Sequence, residues 1–193
     1  MRQWCNPVAP IKQNDENHKM KTLLKKRFIA SVIDFGIIAV YATLLLLGTI
    51  FISSVFDWKF NPNPYLGQLI DLITLTLPVI MYSYLTEKSK WKGTVGKKLQ
   101  KLSVVTDHNK SAKNILTRNI LKYLPWVFAH TGVHWTIYYT ANNIEPPLWT
   151  WFFLITPQLV VIAYVISIIS SKGQKSIYDN IAKTKIAYQT NYE

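Results

Sequence analysis

The sequence predicts an all-α membrane protein: four transmembrane helices, both termini cytoplasmic, and a small cytoplasmic cap of one short strand pair and an amphipathic helix. Three observations carry that expectation. Apolar residues make up 49% of the 193 residues and come in blocks rather than at period 2 or 3.6. The formal charge of +12 is squeezed between those blocks. The first block, 27–56, is nearly unbroken, with Arg27 and Asp34 as its only charges. A hydrocarbon core of ~30 Å needs about 20 apolar residues at a rise of ~1.5 Å each. A buried helix of a water-soluble domain would show a polar stripe, and from Phe35 onward only Tyr41 and small hydroxyls interrupt the run.

Residues 1–24 are polar and read as a tail ending in a basic collar, and 25–190 as the membrane domain. The first apolar run begins too late and is too long for a secretory signal. The first span is 28–56, and the breaker-rich run Asp57-Trp58-Lys59-Phe60-Asn61-Pro62-Asn63-Pro64 should turn outside. The second span, 65–86, carries Asp71 and Pro78, and the proline should kink it. Between Glu87 and Lys122 lie ten lysines and arginines against Glu87 and Asp107 alone, so this loop should be cytoplasmic. A third candidate span covers 123–140, with His130, Gly132 and His134 in its middle, and a fourth covers 148–170, with Pro157. The last segment is basic again. All three basic segments fall on one side only if 123–140 crosses, so four crossings fit best. Trp58, Trp126, Trp135, Trp149 and Trp151 fall near the expected interfaces.

The long basic loop has structure of its own. LQKLSVVT, 99–106, has strand composition and ends at the turn-like Asp107-His108-Asn109-Lys110. TKIAYQ, 184–189, is also strand-like and is expected to pair with it. Ser111 suits a helix N-cap. The helix after it carries Ala112, Ile115, Leu116, Ile120, Tyr123 and Leu124 on one face, with Lys113, Arg118 and Lys122 elsewhere. Such a helix would lie on the membrane surface before turning in.

Chemistry is sought among charges that lipid would not tolerate. Arg27 and Asp34 are seven residues apart and share a helix face. Arg27 can snorkel, whereas Asp34 needs a cation, water or a proton, because an acid deep in a bilayer costs about 2.5–3.5 kcal/mol. A structural ion pair and a transport role both satisfy that need. Asp71 stands near the other end of its span, out of reach of Asp34. It reads either as a second station on an ion path or as a headgroup-level residue. His130 and His134 have the i, i+4 spacing of a two-histidine metal site, but no H-E-x-x-H motif or neighbouring carboxylate completes a set. Polar packing is the reading preferred for them, and no metal is expected. Neither a G-x-S-x-G motif nor a cysteine nucleophile appears, and Cys5 is the single cysteine, so an enzyme is not expected and no cofactor is called for. The basic balance points to anionic lipid rather than to nucleic acid. Four helices wall a path thinly, so a homo-oligomer or a membrane partner is expected.

The positions of Arg27, Asp34 and Asp179 resemble those of the one arginine and two aspartates for which the RDD family of small integral membrane proteins is named. The run Lys92-Gly93-Thr94-Val95-Gly96-Lys97-Lys98-Leu99, then Leu102-Ser103-Val104-Val105, is similar to that family's G-x-T-x-G-K run and following strand. Ser176-Ile177-Tyr178-Asp179-Asn180-Ile181-Ala182-Lys183-Thr184 is similar to its closing segment, with Tyr178 where many relatives carry His. The resemblance implies multi-pass placement in a cell (plasma) membrane, in a bacterium. It also implies a cluster of Arg27, Asp34 and Asp179, and sodium/proton antiport of the kind proposed for some members.

Gly93, Thr94, Gly96, Lys97 and Lys98 do not form a phosphate loop. The glycines are too close for G-x-x-x-x-G-K-[ST], and Lys98 stands where Ser or Thr is needed. They read as a turn whose N–H groups and lysines would meet a lipid phosphate or the carboxylate of Asp34 or Asp179.

Overall fold

The computed structural model describes residues 10–56, 63–106 and 111–189, with side chains from residue 21 onward. Helix α1 runs Pro10–Phe56. It starts inside the stretch read as a tail, whose residues 1–9 lie outside the described residues. The helix extends there because 11–24 contains no glycine or proline, and adding a residue to an existing helix is far easier than starting one. Residues 57–62 and 107–110, where two turns were expected, also lie outside. Asn63 caps the next helix, its side-chain oxygen accepting from the backbone N–H groups of Tyr65 and Leu66.

The second apolar segment is three pieces in line: α2 Pro64–Asp71, a π-helical turn Leu72–Thr76, and α3 Leu77–Lys88. Pro78 cannot donate to the carbonyl of Thr74 four residues back, and its ring crowds that oxygen. The wider turn absorbs the crowding, and the Tyr41 hydroxyl of α1 donates to the freed Thr74 carbonyl at 2.6 Å.

After the short α4, Val95–Leu99, strand β1, Leu102–Thr106, pairs antiparallel with β2, Thr184–Tyr188. The pairing anticipated from composition is therefore present, starting three residues later than 99 because Leu99 ends α4. Leu102, Val104 and Ile186 from the sheet pack with Leu23 and Ala30 of α1 as a small core.

Helix α5 is continuous over Ser111–Ala141. The sequence reading of a surface helix that then turns inward is corrected: no break falls near Tyr123. Pro125 leaves the carbonyl of Leu121 without its helical donor, and Tyr164 of α6, Leu148–Ser170, donates to it at 3.0 Å. Ile115, Arg118 and Asn119 are buried while Leu116 and Ile120 are exposed, so the polar side of this helix points inward. Helix α5 packs along α6, α2 and α3, and α7, Ile177–Ile181, closes against α5 and α6.

Among the described residues, three helical stretches are long and apolar enough to cross a membrane: Lys21–Phe56, Pro64–Lys88 and Leu148–Ser170. Their large apolar side chains stand exposed, Phe28 at 70% and Phe51 at 67% among them. An outward apolar surface around a polar interior suits lipid as solvent. Below, the end of the bundle carrying α4, α7 and the strands is called the sheet end, and the end near Asn142 the far end.

Candidate functional site

Three helices bury mainly polar side chains at the sheet end. On α1 the buried residues recur at Leu23, Arg27, Ala30 and Asp34, a single stripe at spacings of three and four. On the second segment Thr76, Val79, Ser83 and Glu87 form another, and Arg118 and Asn119 of α5 face both.

Asp179 is wholly buried and holds two guanidiniums. Arg27 Nη2 donates to its Oδ2 at 2.6 Å and Arg118 Nε to its Oδ1 at 2.7 Å. The Ser176 backbone N–H and the Thr184 hydroxyl complete its acceptor sites at 2.9 and 3.1 Å. Burial pushes the Asp179 carboxyl up, but Arg118 and Arg27 outweigh it and hold the group below the usual aspartate range. Arg27 Nη1 also donates to the Gly173 carbonyl at 2.9 Å, which fixes the start of the α6–α7 turn.

Glu87 is the second hub. Arg118 Nη1 reaches its Oε2 at 2.6 Å, Lys97 Nζ its Oε1 at 2.9 Å, and Asn119 Nδ2 its Oε2 at 2.9 Å. Asp34 has a different seat. The Thr94 hydroxyl donates to its Oδ2, the Gly96 N–H to its Oδ1 at 2.9 Å, and Lys97 Nζ stands off at 4.0 Å. Gly96 is needed there because a Cβ would come within 2.2 Å of the Ala30 carbonyl oxygen on α1. Burial pushes the Lys97 ammonium down, with Glu87 pulling the other way. A cavity of about 150 Å³ opens beside these groups, lined among others by Arg27, Asp34, Lys97, Arg118, Lys122 and Tyr123.

Of the residues anticipated from sequence, Arg27 and Asp179 meet directly. Asp34 touches neither; it joins them through Lys97, Glu87 and Arg118 and shares the cavity with Arg27. The glycine–lysine turn meets Asp34 and not Asp179. Lys97 enters the network, Gly93 makes room for the Lys97 side chain and the Leu102 carbonyl, and Lys98 lies 3.7 Å over the Trp91 ring instead.

Glu87, Arg118 and Asn119 were missed. Glu87 looked like one charge in a solvated loop, yet it continues the Thr76, Val79, Ser83 spacing by one more helical step. Arg118 and Asn119 flank Ile115 at i+3 and i+4, a signal masked by the more obvious apolar face.

At the far end, Asp71 belongs to the bundle interior. His130 Nδ1 lies 2.7 Å from Asp71 Oδ1, and the Thr76 hydroxyl donates to Oδ2 at 3.3 Å. The sequence reading that no carboxylate accompanies His130 and His134 is thus corrected. The partner comes from another helix, 59 residues earlier in the chain, where local spacing carries no signal.

The arrangement at the sheet end neutralises three buried acids with three buried cations and leaves the cavity of about 150 Å³ next to the least neutralised of the three acids. No curated protein and no solved structure matches the chain. The family model described as the RDD family matches residues 22–183, a stretch that contains Arg27, Asp34, the glycine–lysine turn and Asp179, and the chain belongs to that family of membrane proteins.

Proposed function

We propose that the protein is a cation/proton transport module of a cell membrane, crossing four times with both termini cytoplasmic and exchanging its ion at Asp34. The single observation behind this reading is the inequality of the three acids. Glu87 and Asp179 each hold two cationic side chains at hydrogen-bonding distance, whereas Asp34 has only Lys97, at 4.0 Å, among the described residues. A carboxylate held by one hydroxyl, one N–H and a distant ammonium can take a proton or a small cation without dismantling an ion pair. The adjoining cavity supplies the space. Helix α5 would be the remaining crossing, which brings the three basic segments to one side. An assembly of copies would thicken the wall around the path.

In proteoliposomes, an imposed pH gradient should drive sodium uptake, and Asp34→Asn should abolish it while leaving the elution profile in detergent unchanged. Flux in Asp34→Asn equal to wild type, or none in wild type, rejects the reading. Cysteine labelling from either side of the membrane at Lys172 and Asn143 tests the four crossings, which require opposite accessibility.

A second reading is an accessory or scaffold protein that holds an anionic lipid. It is favoured by the cavity's four basic lining residues, Arg27, Lys97, Arg118 and Lys122. Phosphatidylglycerol would then raise the melting temperature more than phosphatidylcholine does, and Lys122→Gln would remove the difference.

A further inference from the structure

The far end carries a group of side chains that the transport reading does not use. We infer that Asp71, His130 and His134 form a binding site for a divalent transition-metal ion of the zinc class, clamping α2 to α5.

The two helices supply the ligands in matching register. His130 and His134 are one turn apart on α5, and Gly67 and Asp71 are one turn apart on α2. Asp71 faces His130, and Gly67 faces His134. A Cβ on Gly67 would lie 2.8 Å from His134 Nδ1, so this glycine makes the room that the second imidazole occupies. One ligand atom from each of Asp71, His130 and His134 lies within 4.8 Å of the other two. Around a metal with bonds of ~2.0–2.1 Å, tetrahedral ligand atoms sit roughly 3.3 Å apart. The 2.7 Å Asp71–His130 pair has only to open slightly, the metal taking the place of the bridging hydrogen and the imidazole proton being carried on the other ring nitrogen.

The surroundings hold these ligands in place. Thr76 is five residues after Asp71, out of reach on a regular α-helix, yet the π turn brings its hydroxyl onto the carboxylate. Trp126 packs its ring on His130 with centroids 4.6 Å apart. Gln68 donates to Thr131 at 2.6 Å, tying α2 to α5 beside the ligands. Side-chain exposures of 12% for Asp71 and 23% for His130 keep the site reachable but largely desolvated. Two imidazoles and one carboxylate suit zinc, cobalt or nickel, whereas magnesium and calcium take oxygen ligands. Three protein ligands leave one position for water.

The test uses the full chain in detergent, with any affinity tag removed and metal stripped by a chelator. Cobalt(II) should produce the visible d–d absorption of a four- or five-coordinate ion at one equivalent, and zinc should displace it and raise the melting temperature. Asp71→Asn and His134→Gln should each weaken zinc binding about 100-fold, and Gly67→Ala about tenfold, with no ligand removed. A His18→Gln/His108→Gln double variant, lacking the other two histidines, should bind as wild type does. If wild type shows neither the cobalt band nor the zinc shift, or if Asp71→Asn and His134→Gln bind zinc as tightly as wild type, the site does not exist. Should those two variants fail to fold, the cobalt spectrum of wild type and the Gly67→Ala affinity decide the matter.

Discussion

The two ends of the bundle handle charge in opposite ways. At the sheet end, Asp179 and Glu87 are almost fully buried, and every oxygen of both carboxylates accepts from at least one cation. At the far end, one acid faces two imidazoles that remain partly exposed, with a single hydroxyl in support. Taking ions out of water costs several kcal/mol each, so a dry site survives only if its charges cancel and its hydrogen bonds are complete. A site that water still reaches can leave coordination capacity unused. Closure at the sheet end makes a scaffold around Asp34; openness at the far end makes a ligand set.

The comparison is broken most directly at Arg118, the cation shared by Glu87 and Asp179. Arg118→Met should destabilise the protein by about 3–5 kcal/mol, because two buried acids lose a partner each. Denaturant unfolding in detergent reads the loss, and His130→Gln should cost far less by the same assay. A loss from Arg118→Met no larger than that from His130→Gln would mean that the sheet end is not closed.

Acid should separate the ends next. The folded-state value of Asp179 lies below its unfolded value. Its contribution is therefore complete above the ordinary aspartate range of about 4, and it is lost as pH falls through the folded value. Wild type should lose melting temperature below about pH 4, and Asp179→Asn, already weakened at pH 7, should show a flatter profile there. Equal slopes would remove Asp179 as the acid-sensitive group.

A packing contrast comes third. Gly96→Ala should cost about 1–3 kcal/mol, because its Cβ meets backbone on α1, whereas Gly36 and Gly48, with nothing within 4 Å, should accept alanine without loss. Unfolding of the three variants side by side checks this. The smallest effect concerns the proline acceptors. Tyr41→Phe and Tyr164→Phe should each cost about 0.6 kcal/mol, the scale of interhelical hydrogen bonds in membranes. A loss beyond about 2 kcal/mol would show that these tyrosines carry more than the Thr74 and Leu121 carbonyls.

Legibility in the sequence tracked the range of the interaction. The strand pair could be read because LSVVT and TKIAY each have strand composition locally, and only their register awaited the fold. The inward polar face of α5 was not legible. Amphipathic patterning in water would bury Leu116 and Ile120, whereas here both are exposed and Arg118 is buried against Glu87 and Asp179. The partners of Glu87 on α5 and the Asp71–His130 pair had no local signature, since Arg118 and Asn119 lie 31 and 32 residues from Glu87 and His130 lies on another helix from Asp71.

Sequence by itself determined the solvent and the problem. Long apolar stretches in α1, Pro64–Lys88 and α6 match a hydrocarbon core, and Arg27, Asp34 and Asp71 within or beside them require partners. Hydropathy is a one-dimensional property and survives being read along the chain. Tertiary structure alone decided who those partners are. Arg27 finds Asp179 across 152 residues, Asp34 is caught by the Thr94–Lys97 turn, and Asp71 meets His130, because ion pairing depends on distances that exist only once the helices have packed.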